Sequence, residues 1–285
     1  MKAWLIFLVA LWLPSLSLAQ DLLPRGMSFI GLTAEGWRAF TVDENGLPER
    51  VSDLTEPREF TWSPSANRMV FIRADGTISD RQNAVTNTLV PSDAADAFTQ
   101  IRLGEQGQSL IAIRLFERKS ERTALTVWQS RQQRFSDIHQ QLGKIFDPDF
   151  NDENFLFSVV SCMLDCGGIV QEAWLKNRVT HRAKQLTLHN GIVRYPVWDT
   201  QQQRTVYSFR ASTHFQLWQT DSSGRSTQLT HSEGTDLWPS LSPSGVLYFV
   251  RRAEGRGRLM RLGASGAVEI KLEHILDIRD LEITQ

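Results

Sequence analysis

Residues 60–72 read F-T-W-S-P-S-A-N-R-M-V-F-I, and residues 238–250 read W-P-S-L-S-P-S-G-V-L-Y-F-V. Both place a Ser-Pro-Ser turn before a short apolar run, and P-V-W-D-T-Q-Q-Q-R-T-V-Y-S-F (196–209) is a third version. This recurrence constrains the fold more than any other feature. Strand-like apolar runs are centred near Ile30, Val70, Ile111, Leu156, Val206 and Leu247, at intervals of 40, 41, 45, 50 and 41 residues. Repeats of that length, built from short strands and turn residues, predict propeller blades of four antiparallel strands. Helical periodicity is almost absent, which argues against an α/β chain.

The order inside one repeat is consistent with a blade. In 191–230 a first strand carries Tyr195 and Trp198, a polar turn fills 199–204, and strands follow at 205–209 and 215–220. Asp221-Ser222-Ser223-Gly224 then makes a hairpin turn into a fourth strand at 226–229. Proline in the Ser-Pro-Ser turns presets φ and withholds a donor where the first strand must end. The start of the chain supplies only three strands (28–32, 38–42 and 48–52), and the tail H-I-L-D-I-R-D-L-E-I (274–283) is one strand too many. Pairing that tail with the first strands hides two open edges. The expectation is an all-β, six-bladed propeller of four-stranded antiparallel blades, closed by the C-terminal strand joining the N-terminal blade, in one domain over 20–285.

The motifs T-W-S-P-S-A-N-R-M-V-F-I, S-L-S-P-S-G-V-L-Y-F-V and D-S-S-G-R-S-T-Q-L-T resemble the repeats of the TolB-like β-propeller family, whose pattern is Trp-Ser-Pro-Asp-Gly, strand, hairpin, strand, Asp-Gly, Leu-Thr. Three repeats match well, while those at 98–140 and 144–189 are degenerate. The resemblance implies a periplasmic propeller that binds rather than catalyses, although some relatives serve lyases and peptidases. TolB itself carries an α/β domain before its propeller, and no such domain fits between Gln20 and Ser28.

The first 19 residues read as a secretory signal peptide: Lys2, an apolar run from Ala3 to Leu13, then Ser17-Leu18-Ala19 before Gln20. That run is too short to span a bilayer, and no other apolar stretch is longer, so no transmembrane segment is expected. Cleavage removes Lys2 alone and takes the net charge from −1 to −2. Such a balance gives no general attraction to nucleic acid. The expected location is the periplasm.

Cys162 and Cys166, the two cysteines of the chain, sit in S-C-M-L-D-C-G-G. In an oxidising compartment they are read as a structural disulfide, in preference to a redox or metal pair. D-P-D-F-N-D-E-N (147–154) has the alternating oxygens of a calcium loop, but Asp152 and Ser158 stand where that loop needs Gly and Glu, so it is read as a turn between strands. The six histidines show no metal spacing. No cofactor, metal or catalytic residue is expected.

In an antiparallel blade the hairpins between second and third strands emerge on the same face as the links between blades. The hairpins carry Arg73, Arg114, Arg118, Arg122, Arg251, Arg252 and Arg256; the links carry Asp93, Asp96, Glu233 and Asp236. This predicts a face with an acidic centre and a basic rim, suited to a charged partner. The expected function is a non-catalytic periplasmic binding or scaffold protein that engages an envelope protein or polymer through one propeller face. The alternative is the substrate-capturing propeller of a hydrolase or lyase system.

Overall fold

The computed structural model describes residues 22–104, 106–117, 121–162 and 167–284. The expected leader (1–19), Arg118 and Cys166 lie outside the described residues. The chain opens with β1 (Met27–Thr33), β2 (Gly36–Val42) and β3 (Pro48–Thr55). A four-stranded sheet follows, β4 (Glu59–Ser63), β5 (Arg68–Ile72), β6 (Ile78–Gln82) and β7 (Val85–Val90), and then another, β8 (Ala97–Leu103), β9 (Leu110–Leu115), β10 (Arg122–Gln129) and β11 (Arg134–Leu142). Next come β12 (Ile145–Phe150), β13 (Asn154–Cys162), β14 (Val170–Asn177), β15 (Ala183–Gln185), β16 (Ile192–Asp199), β17 (Arg204–Arg210), β18 (Phe215–Thr220) and β19 (Ser226–Gln228). A further four-stranded sheet holds β20 (Thr235–Leu241), β21 (Leu247–Ala253), β22 (Arg256–Gly263) and β23 (Gly266–Glu269). The last strand, β24 (Asp277–Ile283), returns to the start and pairs antiparallel with β1, giving the order β24-β1-β2-β3.

The arrangement is an all-β propeller, but the expectation of six separate four-stranded blades is corrected. Among the described residues there are four discrete four-stranded blades, and β12 to β19 form one continuous eight-stranded sheet. The cause is local. β15 has only three residues and covers only Trp174–Lys176 of β14. The chain then leaves that edge, and Gln171 becomes free to donate its N–H to Gly191 O at 2.8 Å and to form a parallel bridge with Ile192 of β16. This is the stretch where the sequence repeat is degenerate.

Hydrophobic cores lie between facing sheets. Val70, Ile72 and Ile78 pack on Ile101, Leu103 and Leu110, and Met27, Phe29 and Val42 pack with Val250, Leu259 and Ile283 across the closing seam. Central strands are covered on both faces, which is why Arg68–Ile72 is buried along its whole length and its apolar run does not alternate. At roughly 25 cal/mol per Å² of apolar surface, such inter-sheet burial is the main stabilising term.

A recurring bulge shapes the inner strands. Asp147-Pro148, Tyr195-Pro196, Trp238-Pro239 and Asp280-Leu281 each oppose a single residue of the next strand. Those single residues are Phe157, Tyr207, Phe249 and Phe29, every one fully buried. Proline suits the second place because the bulge removes a ladder bond that Pro could not donate. The first residue of each pair has positive φ: 55° at Asp147, 52° at Tyr195, 50° at Trp238 and 53° at Asp280.

Candidate functional site

These four bulge residues line the axis of the propeller together with Glu59, Gln100 and Arg102. The left-handed backbone costs a non-glycine residue about 1–3 kcal/mol and persists only where surrounding structure enforces it. At Asp147 and Tyr195 the enforcement comes from polar bonds. Asp147, 2% exposed, takes Arg194 in a two-pronged pair at 2.6 and 2.9 Å, and accepts Ser158 Oγ at 2.7 Å, Gln100 Nε2 at 3.1 Å and the Tyr195 N–H at 3.1 Å. Strands β8, β12 and β16 are thereby tied at one carboxylate. Burial alone would raise the Asp147 pKa, but Arg194 and the hydrogen bonds outweigh it and hold it below the ordinary carboxylate range.

A second node surrounds Arg102. Its Nη1 lies 2.9 Å from Glu282 Oε2, and its Nε lies 3.8 Å from Asp149 Oδ1. Glu282 also accepts Thr61 Oγ1 at 2.9 Å and Thr284 Oγ1 at 3.1 Å. Burial pushes both Glu282 and Asp149 upward, against the pull of Arg102. Two carboxylates remain near the hairpin side of the axis. Burial, then the neighbouring Asp280, raises Glu59 well above its ordinary value; burial raises Asp280 to about 6 despite Arg279 and Arg102. Tyr195, also raised by burial, sets its ring 5.2 Å from that of Trp238.

The residues expected on the hairpin face fall into three groups. Arg114 pairs with Asp96 at 3.4 Å and with Asp137 at 3.2 Å, and Arg114 and Arg122 flank the Phe116 ring at 4.1 and 4.0 Å. Arg251 grips the fully buried Asp236 at 2.7 and 2.9 Å, and Arg252 reaches Asp277 at 3.2 Å. Arg73 sits over Phe71 and donates to Ser79 Oγ at 3.1 Å; with Arg256, Asp93 and Glu233 it stays exposed. Charges assigned to a centre and a rim thus meet within the blades. Cys162 ends β13; its pairing with Cys166 remains a proposal. Among the described residues no group of three or more His, Cys, Asp or Glu could hold a metal ion, and no helix is long and apolar enough to cross a membrane.

Gln100, Arg102 and Asp280 were not singled out from the sequence. Asp147 and Asp149 fall within the segment read as a turn, whereas β12 runs through Phe150 and the turn begins at Asn151, whose side chain accepts the Glu153 and Asn154 N–H groups. The available signal was the dipeptide Asp147-Pro148, Tyr195-Pro196, Trp238-Pro239, repeated at 48 and 43 residues.

No protein-family model matches the sequence, and comparison with curated proteins finds no match. Solved structures do match. TolB from Acinetobacter baumannii superposes with a TM-score of 0.71 at 14% identity, over 91% of this chain and 66% of that one. Hydrazine synthase from Kuenenia stuttgartiensis gives 0.72 at 11% identity, over 90% of this chain and 46% of that one. An oligogalacturonate lyase from Vibrio parahaemolyticus gives 0.56 at 10% identity, over 82% and 70%. The chain spans just under two thirds of the TolB structure and under half of the synthase. At these identities the likeness concerns the fold alone. In fold, the chain is a TolB-like β-propeller.

Proposed function

We propose that the protein is a non-catalytic binding protein of the bacterial envelope, exported to the periplasm, that engages an envelope protein or polymer on the face where blade links and second-to-third hairpins emerge. The observation that carries this reading is the fourfold bulge. Strained backbone held by a surrounding network marks functional positions, and here it turns Asp147, Tyr195, Trp238 and Asp280 toward one axial mouth. Exposed Arg73, Arg256, Asp93 and Glu233 lie on the hairpins and links around it and supply charge for steering and register.

The pairing of Arg251 with buried Asp236 decides how to test this. Reversing Arg251 would set two carboxylates against each other and unfold the blade locally. Arg73→Glu with Arg256→Glu alters exposed charges instead. Photo-crosslinking in cells from position 256 should trap a specific envelope component, and the double reversal should reduce its capture. A control probe at Ser223, on the opposite face, should trap nothing specific. Equal trapping from both positions, or substrate turnover by the purified protein alone, would refute the reading.

A further inference from the structure

The outermost strand of a blade carries a row of backbone N–H and C=O groups that no neighbouring strand covers. Proteins keep such edges from pairing with other chains by proline, charge, bulges or sheer shortness. Most outer strands here use these devices. β3, P-E-R-V-S-D-L-T, has a proline and the charges of Glu49, Arg50 and Asp53; β11 has Arg134, Asp137 and a bulge at Ile138. β15 and β19 are three residues long, and β23 is four and ends in Glu269. β7 differs. It reads V-T-N-T-L-V, six residues with no charge and no proline, and Val85 to Thr88 are exposed. Its bulge lies at Leu89, beyond the regular stretch Val85–Thr88.

The turn before β7 decides which of its groups face outward. Asn83 and Ala84, with φ of 49° and 67°, form the two-residue loop of the β6–β7 hairpin, so Gln82 and Val85 exchange hydrogen bonds across it. Bonded and non-bonded pairs alternate from there. Val85 and Asn87 therefore turn their backbone groups toward β6, and Thr86 and Thr88 turn theirs to the open edge. Among the described residues no strand pairs with that edge. The charges beside it are engaged within the molecule: Arg68 holds Asp80 at 2.8 and 3.0 Å, and Arg81 reaches Asp53 at 3.0 Å. A second β7 running antiparallel completes this pattern. With a two-fold axis at Asn87, Thr86 of each copy meets Thr88 of the other, and their outward groups exchange about four main-chain hydrogen bonds. Cross-strand Thr–Thr pairs are favourable, and no like charges stand opposite one another. A two-fold contact uses the same patch on both copies and closes on itself, so assembly stops at the dimer.

We propose that two copies of this protein pair edge to edge through β7, joining their second blades into one continuous sheet across a two-fold axis at Asn87. A single strand pair is a small interface, so the dimer is weak. Sedimentation velocity of the intact protein should show a monomer–dimer equilibrium with a Kd of roughly 10 μM to 1 mM. Thr86→Pro removes an outward N–H and no main-chain bond within the blade, so thermal melting should stay unchanged while dimers disappear. Asn87→Lys and Asn87→Glu, on an exposed side chain, cover the case in which the proline variant fails to fold. Each should raise Kd by about tenfold or more, because like charges meet at the axis, and mixing the two variants should restore dimers. A protein that stays monomeric at every concentration, a dimer untouched by these substitutions, or no recovery in the mixture would overturn the pairing. Uptake of a fluorescent Thr-Val-Thr-Val-Thr-Val peptide by a protein that does not self-associate would also overturn it, by giving the edge to a foreign strand. Crosslinking from position 256 reads a different surface, so the dimer edge and the docking face fail independently.

Discussion

Replacing Asp280 by Asn should make the protein more stable at neutral pH and leave it nearly unchanged in acid. Asp280 sits at the bulge of β24 with φ of 53°. Asn tolerates the left-handed conformation as Asp does, so the substitution changes charge and little else. The groups around it are Glu59, Asp147, Glu282, Arg102 and Arg279, the last with Nε 3.5 Å from Oδ2. Burial raises the carboxyl from 3.8 to about 6; Arg279 and Arg102 oppose the rise and Asp147 adds to it. A folded pKa above the unfolded one means that the native state holds the proton more tightly. The associated stability is complete below about pH 4 and lost as pH climbs through 6. At 1.36 kcal/mol per pH unit, the rise corresponds to about 3 kcal/mol. Glu59 adds an effect of the same sign, since removing the Asp280 charge relieves part of its own elevation. Urea unfolding of wild type and Asp280→Asn across pH 4–8, followed by tryptophan fluorescence, should give curves that diverge with rising pH until the variant leads by about 3 kcal/mol. Curves that stay parallel within about 0.5 kcal/mol would refute the claim that a proton is held at the axis.

Asp147→Ala should destabilise by about 3–5 kcal/mol, because it leaves Arg194 without its partner on the axis; thermal or urea melts measure it, and a loss below about 1 kcal/mol would discount the node that ties β8, β12 and β16. Gly104→Ala would place a Cβ 2.8 Å from the Phe150 ring, so overpacking should cost about 1–3 kcal/mol, with a near-UV circular dichroism change that marks the displaced ring. Deleting 277–285 removes β24 together with the Asp277 bond to the Gly257 N–H at 2.7 Å and the Ile283 bond to Ser240 at 2.8 Å, and should abolish cooperative melting. Mass spectrometry of protein isolated from the periplasm without reductant should find Cys162 and Cys166 refractory to alkylation; two alkylated thiols would reject the disulfide.

The repeat was legible because each blade must close its own hydrogen bonds locally. Turn residues such as Ser-Pro-Ser and Asp-Ser-Ser-Gly, and the apolar runs between them, record that need within some 40 residues of chain. The surplus strand at the tail was equally legible, since an unpaired edge at each end predicts its own partner. Other features depend on contacts the linear order does not carry. The three-residue β15 exposes part of β14, and only spatial proximity lets Gln171 bridge to Ile192 and merge two expected blades into one sheet. Arg114 and Asp96 looked like members of separate rings until packing brought them within 3.4 Å. The axial node escaped for the same reason. Arg194 and Gln100 each lie 47 residues from Asp147, one on either side, and Arg102 meets Glu282 from well over half the chain away. Sequence alone determined most of the strands and turns, because those preferences are settled largely by neighbours, and it misplaced β12, whose Asp147–Phe150 stretch looks like a turn. Tertiary structure decided which charges share the axis, because closing a ring brings together residues whose energies depend on burial and on each other.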